Sequence, residues 1–79
     1  MLSFRSVSYK TYEAHSEGYN YYIEQNYAKD AKGTARVPAG FLLTVTDPDG
    51  VDSQLVLSSV SRAKDAADKI AYGVAWLSK

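Results

Sequence analysis

The 79-residue sequence contains no cysteine, only one histidine and no excess of charge of either sign. Without cysteine, the chain can form neither a disulfide nor a thiolate metal site. Nine basic residues balance nine acidic ones, which argues against a surface devoted to the nucleic-acid backbone. No apolar run approaches the roughly 20 residues of a membrane span, and no N-terminal signal is evident. We therefore expect a soluble cytoplasmic protein with a single small domain, residues 1–79.

The residues that catalysis or cation binding would need are also sparse. His15 is the only candidate general base of its type, and no motif marks a serine partner for it. Asp47, Asp49 and Asp52 first suggest a calcium loop, but Gly50 is misplaced for one and no glutamate closes it. The five glycines are scattered singly and form no phosphate-binding loop. We predict a protein that is not an enzyme, without cofactor, metal or small-molecule substrate.

The strongest local pattern is a β-hairpin over residues 40–58. Residues 40–46 are apolar and β-branched, which is typical of a buried strand. The following Asp-Pro-Asp-Gly at residues 47–50 has the composition of a tight turn. Residues 54–58, Gln-Leu-Val-Leu-Ser, are predicted to be the returning strand, so the sequence predicts two antiparallel strands here.

A helix is predicted to follow this hairpin. Ser59 and Ser61 are alternative N-caps, because a serine oxygen accepts a hydrogen bond from an amide of the first turn. At 100° per residue, an apolar stripe gathers around Ile70. Its other members are Ala63, Ala66, Ala67, Val74 and Leu77. We take Ile70 as the centre of the stripe and expect Ile70→Ala to cost about 2–5 kcal/mol.

The N-terminal half is predicted to add further strands. Residues 19–27 place tyrosines and an isoleucine on one face, and residues 2–13 alternate weakly. A turn at residues 16–18 would join them into a hairpin, whereas residues 28–39 are predicted to be a polar loop. The order β-β-β-β-α predicts a small α+β fold of three or four antiparallel strands. The C-terminal helix would cover one face of the sheet and leave the other open.

Three aromatic residues are not accounted for by this core. Tyr72 and Trp76 lie one turn apart on the outer side of the helix, and Tyr22 points to the open face of the sheet. Large aromatic side chains outside the core are typical of a protein-binding surface. Two alternatives remain open: the last helical turn bends, or Leu2 and Phe4 lie over the helix.

A second candidate surface is the basic segment 28–36. It carries Lys29, Lys32 and Arg36 against a single carboxylate, Asp30. Such a segment beside a sheet can bind phosphate groups, and a solvated loop is the alternative. Together with the open sheet face, it makes DNA binding the second functional hypothesis.

Three segments resemble small uncharacterised proteins found in phages of actinobacteria: GYNYYIE at 18–24, FLLTVTDPDG at 41–50 and SRAKDAA at 61–67. The resemblance implies host cytoplasm and a role in redirecting or inhibiting a host process. The order of strands and helix is also similar to the arm-type DNA-binding domain of phage integrases, which reads DNA with its sheet. We therefore expect an accessory protein that binds a host protein or a second copy of itself, with DNA binding as the alternative.

Overall fold

A computed structural model describes residues 2–77 of the chain, and its side chains as far as residue 74. It contains five strands and one helix: β1 (Arg5–Ser8), β2 (Thr11–Ser16), β3 (Tyr19–Lys29), β4 (Arg36–Thr46), β5 (Asp52–Leu57) and α1 (Val60–Leu77). The strands form one antiparallel sheet in the order β1-β2-β3-β4-β5. The α+β fold with a C-terminal helix is confirmed, but the sheet has five strands, not three or four. Within residues 2–77, no helix is long and apolar enough to cross a membrane.

The additional strand arises from a turn that the sequence hides. Residues 2–13 are divided at Tyr9 and Lys10, and Lys10 adopts a positive φ of 49°. Turn signals depend on residues that tolerate this conformation, chiefly glycine, asparagine and aspartate. A lysine in this position gives no such signal, so β1 and β2 were not separated.

The two predicted turns are confirmed. Glu17 and Gly18 both have positive φ, 55° and 80°, the combination found in two-residue hairpin turns that match the twist of the strands. In the β4–β5 turn, Asp47 Oδ1 accepts hydrogen bonds from the amides of Asp49 and Val51, each at 2.9 Å. Asp47 therefore organises this turn.

The predicted loop over residues 28–39 is wrong at both ends. β3 continues to Lys29 and β4 begins at Arg36, where these two residues pair with each other. Pro38 lies within β4 opposite Tyr27. Alanine, lysine and proline are poor strand formers, so the pattern gave no strand signal, but pairing between neighbouring antiparallel strands overrides propensity here.

A bulge at Gly40 interrupts the β3–β4 pairing. Gln25 pairs with Phe41, and the next regular pair is Tyr27 with Pro38, so β4 contains one extra residue. Gly40 has a φ of 78°, and an added Cβ would overlap the carbonyl oxygen of Leu57 on β5. Only glycine combines this conformation with this close approach.

The core lies between the sheet and α1. It consists of Ala14, Tyr21, Ile23, Leu43, Val45, Ala63 and Ala67. Ser59 is the N-cap, because its Oγ accepts a hydrogen bond from the amide of Arg62 at 3.1 Å. Both Ala63 and Ala67 are completely buried, since their small side chains let this half of the helix lie close to the sheet.

Ile70 is not the centre of the buried stripe. Its side chain is 37% exposed, whereas Ala63 and Ala67 on the preceding turns are fully covered. The helical periodicity gives the direction of the apolar stripe, but the closest approach of the helix to the sheet occurs at the small residues Ala63 and Ala67. The expected cost of Ile70→Ala therefore falls to about 1–2 kcal/mol, since only part of the side chain leaves water.

Candidate protein-binding and polyanion-binding surfaces

The aromatic candidates do not form one surface. Tyr72 is 73% exposed on α1, and Tyr22 is 38% exposed on the sheet face that carries no helix. The sheet lies between these two side chains, so they face opposite sides of the molecule. The side chain of Trp76 lies outside the described residues.

The N-terminal segment lies against α1, but it does not cover Tyr72 as the alternative with Leu2 and Phe4 expected. The amide of Leu2 donates a hydrogen bond to Asp68 Oδ1 at 2.7 Å, and both Leu2 and Phe4 pack against the core. The Lys64 ammonium group lies 5.9 Å from the centre of the Phe4 ring. This contact covers the flank of the helix at Lys64 and Asp68 and leaves Tyr72 exposed.

The open sheet face carries a set of polar cross-strand pairs. Arg5 Nε donates to Glu13 Oε1 at 2.9 Å, and this bond, together with the charge of Arg5, lowers the pKa of Glu13. His15 Nδ1 lies 2.5 Å from Asn20 Oδ1 on the adjacent strand. The only histidine is thus paired with an amide, and its other ring nitrogen lies 3.9 Å from Glu13. This arrangement provides no activated nucleophile.

The same face has the wrong charge for a polyanion. Strand pairing places Glu13, Glu24 and Asp52 on it, against the single cation Arg5. Three carboxylates and one guanidinium repel phosphate more than they attract it. The open face therefore gives no support to the predicted DNA-binding surface.

The three cations of the basic segment come together at one end of the molecule. Beyond Ile23 and Phe41, β3 and β4 pair only with each other, so residues 26–39 form a two-stranded extension that we call the arm. Lys29 and Arg36 are cross-strand neighbours, and Lys32 lies in the loop at the tip. All three are exposed, and with Asp30 they give the arm a net charge of +2.

One side of the arm combines an aromatic ring with these cations. Tyr27 and Lys29 are two residues apart on β3, so both point to the side that carries α1. The Tyr27 hydroxyl donates to Gln25 Oε1 at 3.0 Å. The guanidinium carbon of Arg36 lies 5.2 Å from the centre of the Tyr27 ring. This cation–π contact favours a position of Arg36 beside the Tyr27 ring.

The tip of the arm is organised by Asp30. Its Oδ1 accepts hydrogen bonds from the amides of Lys32 and Thr34 at 3.1 and 3.0 Å, and Oδ2 accepts from the Thr34 hydroxyl at 3.3 Å. The bond from the Thr34 amide is the main reason why the pKa of Asp30 is lowered. The ionised carboxylate therefore maintains the loop that carries Lys32.

A surface that the sequence did not predict lies at β5, an edge strand of the sheet. Every residue of β5 is exposed except Leu57, which is half-buried. Leu55 is 49% exposed on the helix side and Val56 is 53% exposed on the open side. No described strand lies beyond β5, so one row of its amide and carbonyl groups has no strand partner.

A groove between β5 and α1 borders this edge. It has a volume of about 410 Å³, and its apolar lining comes from Leu43, Val45, Val51, Leu55, Ile70 and Val74. Val51 is 60% exposed, and the partial exposure of Ile70 is explained by this opening. The groove therefore places apolar side chains directly beside the free strand edge.

The sequence shows that β5 is apolar, but it does not show that β5 lies at the edge of the sheet. Apolar residues on both sides of the strand at residues 54–58 are visible in the pattern, and no lysine, arginine or proline interrupts them. Which strand ends the sheet depends on the pairing order, and local patterns do not encode that order.

Comparisons of this chain with protein-family models, with curated proteins and with solved structures find no match.

Proposed function

We propose that this protein is a non-catalytic binding module that accepts an extended strand of a protein partner at the β5 edge. The observation that carries the proposal is the exposure of β5 on both faces next to an apolar groove. Strand addition supplies backbone hydrogen bonds along the edge, and pockets beside the strand select alternate side chains. The partner is a host protein or a second copy of the chain. The host role that the phage resemblance implies would be exerted through this edge.

The proposal is tested with a short peptide that has the sequence of a strand of this sheet. We use residues 52–58, Asp-Ser-Gln-Leu-Val-Leu-Ser, and a matched peptide with lysine in place of Val56. We expect the first peptide to shift the backbone amide resonances of β5, and the lysine peptide to bind much more weakly. The Leu55→Lys variant of the protein should lose the response, and Tyr72→Ser should keep it.

Two results would contradict strand addition at β5. One is the absence of amide shifts with a peptide that remains monomeric. The other is an equal response of the Leu55→Lys and parent proteins. A response lost only in Tyr72→Ser would instead favour the helix surface around Tyr72. Far-UV circular dichroism of both variants shows whether the fold is intact.

A second candidate function rests on the cations of the arm. We propose that the arm binds the phosphate backbone of DNA, because it places Lys29, Lys32 and Arg36 at one end of an elongated molecule of 50 × 22 × 18 Å. A two-stranded ribbon also fits the major groove of a duplex. With at most three phosphate contacts, this binding would be weak and strongly dependent on salt.

A salt titration with a short mixed-sequence DNA duplex tests this candidate. Lys32→Ala and Arg36→Ala should each weaken binding and lower the salt slope by about one unit. Lys69→Ala on α1 is a matched control that should leave binding unchanged. If the parent fails to shift the duplex at low salt, or if Lys69→Ala has the same effect, the arm is not a DNA-binding element.

A further inference from the structure

We infer that the strand received at the β5 edge is β5 of a second copy of this chain, so that two five-stranded sheets join into one of ten strands. This inference rests on the proposed function and names its partner. It follows from a comparison of the two sheet edges, from the order of side chains along β5 and from the distribution of charge.

The two edges of the sheet differ in how they are protected. β1 has four residues, its pairing with β2 is irregular between Ser6 and Ser8, and it carries Arg5. A short strand, a bulge and a charged side chain are common devices that keep an edge from pairing with another molecule. β5 has six residues in unbroken register from Asp52 to Leu57, with no lysine, arginine or proline. Of the two strands that end the sheet, β5 is therefore the one open to a second strand.

The side chains of β5 complement themselves in one antiparallel register. With Val56 opposite Val56 of the second copy, Leu55 of each chain lies opposite Leu57 of the other. Three consecutive positions, residues 55–57, then meet apolar partners on both faces of the joined sheet. Pairing Leu55 with itself would instead place Leu57 opposite Ser53 and Val56 opposite Gln54.

Charge is also compatible with this register. Asp52 is the only charged residue of β5, and it falls beyond the apolar stretch, so no like charges face each other. Leu55 and Leu57 face the helix side in both copies, so both α1 helices lie on the same side of the joined sheet. The apolar groove of each copy, which includes Ile70 and Leu55, then borders the junction.

The absence of cysteine makes this register directly measurable. Residues directly opposite in an antiparallel pair have Cα atoms about 4.5–5.5 Å apart, within the roughly 4.4–6.8 Å that a disulfide spans. Val56→Cys should therefore form a cross-linked dimer rapidly under mild oxidation. Gln54→Cys is the matched control on the same face of the same strand. Its thiols would be separated by about four residues, roughly 13 Å along the strands, and should cross-link slowly.

Sedimentation equilibrium of the full chain is measured in parallel. We expect the parent to dimerise reversibly with concentration, Leu55→Lys to remain monomeric, and Tyr72→Ser to behave as the parent does. A parent that stays monomeric, or thiols at residue 54 that cross-link as fast as those at residue 56, would overturn the inference. If the 52–58 peptide still binds the monomeric chain, only the self-association is wrong. If that peptide also fails, the proposed function is wrong as well.

Discussion

The two halves of the long β3–β4 pair are built from the same strands but held by different interactions. In the half below α1, the side chains of Tyr21, Ile23 and Leu43 are completely buried. In the arm, Val37 is 40% exposed and Tyr27 is 44% exposed. A hydrogen-bonded ladder therefore continues well beyond the region where it buries apolar surface.

Local contacts replace burial in the arm. The Asn26 side chain donates to the carbonyl of Ala39 at 3.1 Å beside the bulge, and the Tyr27 ring contacts Arg36. Asp30 closes the tip. Segments with few buried apolar contacts open locally at a lower free energy than the global unfolding. We therefore expect the arm to open without the rest of the sheet.

The difference between the two halves is tested by removing one apolar side chain from each half of β4. Leu43→Ala should lower the free energy of unfolding by about 2–5 kcal/mol, because the side chain is fully buried and leaves a cavity. Val37→Ala should lower it by no more than about 1 kcal/mol, because the side chain is smaller than leucine and 40% exposed. Urea denaturation measures both. Similar losses would mean that the arm is part of the cooperative core.

The junction between the two halves is tested at Gly40. Gly40→Ala should cost about 2–3 kcal/mol, because alanine is strained at this positive φ and its Cβ would overlap the backbone of Leu57. Gly33→Ala at the arm tip is the matched control: φ is 69° and no heavy atom lies within 4 Å of the added Cβ. It should cost only about 1 kcal/mol. Equal thermal shifts would show that the contact with Leu57 is unimportant.

The features that the sequence predicted correctly are encoded locally. The turns at residues 16–18 and 47–50, the hairpin 40–58 and the start of the helix all depend on neighbouring residues. The opposite orientations of Tyr21 and Tyr22 also follow from strand alternation alone. Turn chemistry and a period of two were sufficient for each of these.

One error is local: the turn at Lys10 was missed because lysine gives no turn signal. The other errors concern features that depend on distant partners. Pro38 lies within a strand because β4 pairs with β3, and the rotation of α1 is set by the close approach of Ala63 and Ala67 to the sheet. The three cations of the basic segment lie on the same arm, because they are close in sequence. The β5 edge was missed, since its exposure depends on its position at the end of the sheet.

The half of the β3–β4 pair below α1 contains one buried polar atom that lowers the stability of the fold. The Tyr21 hydroxyl is buried and has no hydrogen-bond partner among the described residues. Tyr21→Phe should therefore raise the free energy of unfolding by about 1 kcal/mol, since the cost of burying an unpaired hydroxyl is removed. Tyr22→Phe on the open face is the control and should have little effect. A loss of stability in Tyr21→Phe would show that the hydroxyl has a partner.

Tyr21 should also make the free energy of unfolding depend on pH in the alkaline range. Burial, with a contribution from Tyr19, raises the pKa of Tyr21 above its ordinary value of 10.0. As the pH rises, Tyr21 therefore ionises in the unfolded chain before it ionises in the folded protein. The stability gained by keeping this hydroxyl neutral is lost as the pH rises from about 10 through the folded pKa. Urea denaturation should show a shallower decrease above pH 10 for Tyr21→Phe than for the parent. Parallel curves would contradict the shift.

The smallest expected effect is confined to the tip of the arm. The pKa of Asp30 is lowered mainly by the Thr34 amide, so the ionised form favours the closed loop. This stabilisation is complete above the ordinary aspartate pKa and is lost as the pH falls through the lowered folded value. In an NMR titration of the parent, the amide resonances of Lys32 and Thr34 should move in acid as their hydrogen bonds to Asp30 are lost. The part of β3 below the helix should keep its backbone hydrogen bonds. Asp30→Ala should show the acid spectrum of the tip already at neutral pH, with the same global unfolding midpoint. A decrease in that midpoint would show that the arm and the covered half unfold as one unit.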